Sequence, residues 1–212
     1  MHRWIPSDLI QMLRLGHDAG RELLGKAGFN SDEIEAVEVA EMVEAHRWAW
    51  KPKQVRLLLM AESHVYTATE ELVDYGGAHY FPRDLNAPSR YVRLIYCLGY
   101  GEKLLAPDFN GGTPQFWAIF GDLCGTHPKH HIGAARHERL TEKLRTLRIL
   151  AERGAWLVDA SFHGVSRRKG ARLDRETVGL LQQQWWVDYG RSIVERERPD
   201  VSLLSGRAFI PQ

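Results

Sequence analysis

A chain of 212 residues, 44% hydrophobic and 26% charged, is long enough to bury a core without disulfide or metal staples and short enough for one domain. Its longest apolar runs fall far short of the roughly 20 residues a membrane helix needs, so no membrane association is expected. Two cysteines, Cys97 and Cys124, cannot make a disulfide framework and lack the spacing of a zinc or redox motif. A cluster held by cysteine alone needs about four thiolates, so no cofactor is expected, and a reducing cytoplasm suits the chain best.

The amino terminus, MHRWIPSDLIQML, has one Arg and no clean apolar stretch, and does not read as a secretory signal. The net charge of +1 hides an asymmetry. Residues 1–125 carry 12 Lys and Arg against 17 Asp and Glu, whereas residues 126–212 carry 16 against 10. A basic second half offers a face for phosphates.

The first 50 residues or so read as a helical segment of that domain. Ser7 is placed to cap a helix carrying Leu9, Ile10, Leu13, Leu23 and Leu24, which Gly25 and Gly28 break. Asn30 and Glu33 have capping-box spacing for a second helix, with Ile34, Val37 and Val43 on one side. Asp32, Glu33 and Glu35 then fall in its first turn, where the helix dipole favours acids. Pro52 stops it.

Val55 to Met60 is apolar apart from Arg56 and has the length of a strand covered on both faces. Two further segments match it. Ala155 to Ser161 follows a basic helix over about Arg136 to Arg153, and Val201 to Gly206 follows a long helix around Asp174 to Glu197. Strands alternating with helices predict an α/β fold, a parallel sheet with helices on both faces. Long Gly- and Pro-rich segments, DYGGAHYFPRDLNAPS and LAPDFNGGTPQF, lie between them.

Ligands of open parallel sheets bind beyond the carboxyl ends of the strands. That rule gathers Glu62-Ser63-His64, Asp159-Ala160-Ser161 and Ser205-Gly206-Arg207 at one edge. Glu62 and His64 are two apart, so in a continuing strand they face one side and can act as an acid/base pair. Asp159 follows Trp156-Leu157-Val158, so its carboxylate is expected to be nearly buried, and paired or protonated. His163 extends the patch. The stretch with His127, His130, His131 and His137 matches no ligand spacing for zinc and reads as a loop. Arg167, Arg168 and Lys169 form a compact cationic loop suited to phosphates. Tyr66, Tyr75, Tyr80 and Phe81 sit in loops, where a planar base can stack, whereas Phe116, Trp117 and Phe120 have core spacing.

These strand ends resemble those of the uracil-DNA glycosylase superfamily. LLLMAESHV is similar to its first motif, a strand ending in a Gly-Glu-x-Pro-Gly or Gly-Gln-Asp-Pro-Tyr turn, with Ala61 at the glycine and Glu62 at the Glu/Gln position. WLVDASFHG resembles the strand whose terminal Asn reads uracil, with Asp159 at the Asn. RPDVSLLSGRAF is similar to a late strand of the family. The chain departs from the pattern in three ways. Its turn has no Gly or Pro, Ser63 stands where the most active branch has a water-activating Asp, and the closing His-Pro-Ser motif has no counterpart after the last strand.

The resemblance implies a three-layer α/β/α sandwich and a monomer that excises uracil from DNA without metal or redox cofactor. A flipped deoxyuridine would stack on Tyr80 or Phe81, with Tyr66 nearby. His64 or His163 would stabilise the departing uracil anion, and Glu62, or Ser63, would position the water. Asp159 would meet the base edge, and Arg167, Arg168, Lys169 and Arg207 would hold the DNA backbone. Three other readings compete: a non-catalytic relative that binds damaged DNA; a hydrolase of small molecules built on Glu and His, whose GE-x-H turn Glu62-Ser63-His64 also resembles; and, last, a structural or partner-binding α/β domain, which would leave the polar strand ends without a use.

Overall fold

The computed structural model describes residues 4–74, 85, 87–100, 114–125, 136–166 and 173–204. It begins with helix α1 (Ser7–Lys26). Pro6 occupies the cap position, and its carbonyl accepts from the amides of Leu9 (3.0 Å) and Ile10 (3.1 Å). The Ser7 hydroxyl therefore caps nothing, because Ser7 is already the first helical residue. The helix stops where Gly28 takes a left-handed φ of 92°, a conformation that costs glycine nothing.

The capping-box residues behave differently from expectation. The Asn30 amide donates to the Glu33 carboxylate at 2.9 Å, but only a short 3-10 turn, Ser31–Glu33, follows. Ile34 is extended (φ −102°, ψ 136°), and helix α2 (Val37–Ala49) starts afresh. Glu35 thus leaves the helix dipole and enters the interior, at 4% exposure.

Strand β1 (Leu57–Ala61) is central. Strand β2 (Ala155–Asp159) lies on one side and β3 (Val201–Leu204) on the other, both parallel to it. Leu57 faces Ala155 and Val201, and Ala61 faces Asp159. Successive side chains point to opposite faces, yet every residue of β2 and all but the first of β1 are buried. Both faces of the sheet are therefore covered at β1 and β2, as parallel strands require, whereas Val201 on the edge strand β3 is exposed. The fold is α/β.

Helix α3 (Pro114–Cys124) packs on α4 (Arg136–Glu152), and both α2 and α4 pack on β2. The last helical run starts at Asp174, whose carboxylate accepts from the Thr177 amide at 2.9 Å. It comprises α5 (Arg175–Trp185), a five-residue π-helical turn (Trp186–Gly190) and α6 (Arg191–Glu197). Helix α1 lies against α5 and that π turn. Leu58, Trp156, Val158 and Phe120 are at most 1% exposed; each such side chain contributes about 1.5–3 kcal/mol by leaving water. Cys97 and Cys124 are buried free thiols. No described helix is long and apolar enough to cross a membrane.

Candidate functional site at the carboxyl edge of the sheet

Beyond their last paired residues, the chains leaving β1 and β2 keep company. The Ala160 amide donates to the Ala61 carbonyl (2.8 Å) and the Tyr66 amide to the Ser166 carbonyl (3.0 Å). Between these points lie two turns, residues 62–67 and 160–166. Gly164 is where they touch. A β-carbon there would come within 2.4 Å of the Tyr66 nitrogen and 2.6 Å of its α-carbon, and backbone cannot step aside as a side chain can. Gly164→Ala is expected to cost about 1–3 kcal/mol, read as a lowered urea midpoint with an unchanged slope.

Ser63 stitches the turns together. Its hydroxyl donates to the His64 carbonyl (2.7 Å) and accepts from the Val165 amide (3.0 Å). Glu62 and Tyr66 are half-buried. His64, by contrast, is 3% exposed. Its Nε2 lies 3.1 Å from Glu35 Oε2 and its Nδ1 3.5 Å from Asp159 Oδ2. Burial alone would lower its pKa, but the Glu35 and Asp159 carboxylates outweigh burial and hold it up at about 9. His64 is an imidazolium at neutral pH.

Asp159, 1% exposed, also accepts from the Arg47 guanidinium, which reaches Glu44 as well. Burial would raise the Asp159 pKa, yet Arg47 and His64 prevail and lower it. Asp159 is thus a paired carboxylate rather than a protonated one. Glu44 goes the other way. Its burial outweighs Arg47, Asp159 adds like-charge repulsion, and its pKa rises. The Tyr189 hydroxyl donates to Glu44 at 3.0 Å and accepts from Trp48 Nε1 at 3.2 Å. A buried chain of charges thus runs from Glu35 through His64, Asp159 and Arg47 to Glu44.

His163, 2% exposed, directs Nε2 at the His17 carbonyl (3.0 Å), and its ring lies 4.3 Å from the His17 ring. Burial and the neighbouring His17 push its pKa down to about 3. It is neutral, so the two histidines assigned alike from the sequence carry opposite protonation states. Of the sequence-predicted residues, the structure brings together Glu62, Ser63, His64 and Tyr66 on the first turn with Asp159 and His163 at the end of β2 and on the second. Tyr80, Phe81, Arg167, Arg168, Lys169 and Arg207 lie outside the described residues.

The pattern reading missed Glu35, Arg47 and Glu44. A signal existed for the last two: α2 alternates acids and bases with apolar residues, and every residue from Val39 to Arg47 is buried. Among the described residues, no group of three His, Cys, Asp or Glu side chains is arranged to hold a metal ion. A cleft of about 740 Å³ opens at the opposite, amino edge, lined by Trp50, Lys51, Lys53, Arg56 and Arg148 among others. Lys51 and Lys53 stand just past the carboxyl end of α2, where the helix dipole favours cations.

The geometry defines an α/β protein with a buried ionic platform beneath the carboxyl edge of its central strand. Protein-family models, curated proteins and solved structures give no significant match to the chain.

Proposed function

We propose that the protein is a DNA glycosylase that hydrolyses the N-glycosidic bond of uracil nucleotides at this edge. The observation that carries the reading is the place of Glu62. With strand order β2-β1-β3, the chain leaves β1 toward one neighbour and later crosses to the other. The topological switch point, where open parallel sheets bind ligands, is therefore at the carboxyl end of β1. Glu62 is the half-buried acid at that point, and Ser63 and His64 fix the backbone on which it stands.

In this reading a deoxyuridine is flipped out of the stack, and Glu62 orients water toward the sugar carbon as the base departs as an anion. Asp159 and His64 act from below rather than at the base edge, since both are closed off from solvent. The Glu35 and Asp159 carboxylates balance the His64 charge, so these groups fix the turn that carries Glu62 rather than stabilising the departing anion. The resemblance of the strand ends and the basic second half of the chain support DNA as substrate.

The test is base excision on single- and double-stranded oligonucleotides carrying one uracil, followed by alkaline cleavage, with hypoxanthine and xanthine in parallel. Strand breaks at uracil are expected. Glu62→Ala should lower their rate by about 10²–10⁴, the range for a positioned acid or base, with the circular dichroism unchanged. Intact strands from folded native protein would reject the reading. Glu35 and His64 in contact also lend the small-molecule hydrolase a Glu/His pair, but at 4% and 3% exposure neither meets a substrate in this conformation.

A further inference from the structure

We infer that Glu35 is the positioning residue of this edge, clamping the turn that carries Glu62, Ser63 and His64 onto the turn that carries His163 and Gly164. The inference rests on reading this edge as the reactive one, and it deepens that reading by naming what holds the reactive turn in place.

The Glu35 carboxylate gathers three donors from three places. Oε1 accepts from the Thr67 amide at 2.7 Å. Oε2 accepts from the Gly164 amide at 2.5 Å and from His64 Nε2 at 3.1 Å. Its backbone carbonyl takes a fourth, from His17 Nε2 on α1, at 3.0 Å. One residue therefore joins α1, the turn after β1 and the turn after β2. The three groups on the carboxylate are all N–H donors, so the position requires an acceptor at both oxygens. A glutamine, though equal in size, must turn its own N–H₂ toward at least one of them.

With the N–H₂ at the Oε1 position Thr67 loses its acceptor; at the Oε2 position Gly164 loses its own, and His64 must give up its Nε2 proton to accept from the glutamine, keeping Nδ1–H toward Asp159. The charged groups facing the His64 ring are Glu35 on one side and Asp159, with Arg47 behind it, on the other; neutral His163 is the remaining titratable neighbour. Losing Glu35 removes the charge that faces Nε2. Because Glu62 is two residues from His64 and adjoins Ser63, the same change shifts the turn bearing Glu62.

The test uses the full chain, labelled with ¹⁵N and ¹³C. In the native protein, through-hydrogen-bond couplings should link the Thr67 and Gly164 amide nitrogens to the Glu35 carboxyl carbon, and both His64 ring nitrogens should stay protonated at pH 7. In Glu35→Gln, His64 should become neutral at pH 7 with its proton on Nδ1, and the Glu62 amide should shift. Uracil excision should fall about 10²-fold in kcat, the scale of a 1 Å misplacement, with KM within about twofold. Glu35→Asp, which keeps the charge but shortens the reach, should preserve the His64 imidazolium and still lose kcat. Absent couplings, or a neutral His64 in the native protein, would overturn the inference even if neither variant folds. So would a Glu35→Gln protein with His64 charged and the Glu62 amide unmoved. If the native protein excises nothing while couplings and His64 behave as described, the glycosylase reading falls and the clamp stands.

Discussion

Arg47→Ala is expected to lower stability by about 5 kcal/mol, at the upper end of the 3–5 kcal/mol that follows removal of one partner from a buried ion pair. Arg47 is 1% exposed and is shared between two carboxylates that are themselves at most 1% exposed. Without it, Asp159 and Glu44 repel each other out of reach of water. Asp159 would keep only the His64 contact, which is 3.5 Å long. In a protein of this size such a loss lowers the melting midpoint by about 10–20 °C. The pairing itself, however, stabilises little beyond what it costs to desolvate. Replacing Arg47 by Met together with Asp159→Asn and Glu44→Gln should recover most of the loss. Because Met keeps the volume of the Arg47 stem, a triple variant as unstable as Arg47→Ala would show that the ion network itself stabilises the fold. Calorimetric melts of the native chain and both variants separate the two.

Stability should peak near pH 6.5 and fall on both sides, each side through different histidines. His17, His46 and His163 have pKa values pushed down by burial, the last two to about 4 and about 3. Neutral in the fold and free to protonate once unfolded, they contribute stability that is complete above 6.5 and is lost as pH falls through the folded values. His64 is the reverse. Its folded pKa of about 9 stands above 6.5, so its contribution is complete below 6.5 and is lost as pH rises toward 9. Glu35 and Asp159 are lowered, so theirs is complete above about pH 4.5 and is lost only in stronger acid. His46 and His163, neutral in the fold at pH 5–6, take up about two protons on unfolding, roughly 2–3 kcal/mol per pH unit between pH 6 and 5. His17 acts in the same direction and Glu44, being raised, in the opposite one. Urea midpoints across pH 4–9 check the shape. A profile flat from 6.5 to 9 would mean that His64 is not held charged.

The elements of this fold were legible because its strands are unmixed. LLLMA and AWLVD are apolar runs buried on both faces, and the sequence assigns them correctly to within two residues. The long final helix was legible in its extent, from about Asp174 to Glu197, though nothing in the sequence announces the π turn inside it. The site was legible only as far as it is local. Glu62, Ser63, His64 and Asp159 stand where strands stop, which pattern can locate. Glu35, from the link before α2, and Arg47, from α2 itself, stand 29 and 112 residues from His64 and Asp159, and pairings at that range leave no trace in periodicity. Glu35 was misplaced for a specific reason: an acid after a capping-box pair looks like a dipole partner unless the turn ends early, and here it ends after three residues.

The π turn at Trp186–Gly190 fixes the phase of everything after it. A π turn amounts to one residue inserted into an α-helix, and each helical residue turns the chain by about 100°. Deleting any one residue between Trp185 and Arg191 would let α5 and α6 fuse into a regular helix, but at the expense of their mutual orientation. Tyr189, now delivered to Glu44, would swing away. Ile193, wholly buried, would rotate toward solvent, and Glu197 would leave the Lys51 ammonium that it meets at 2.6 Å. Chain-length variation within this helix should therefore be far less tolerated than variation in the long connections, even though the shortened helix would be the more regular one.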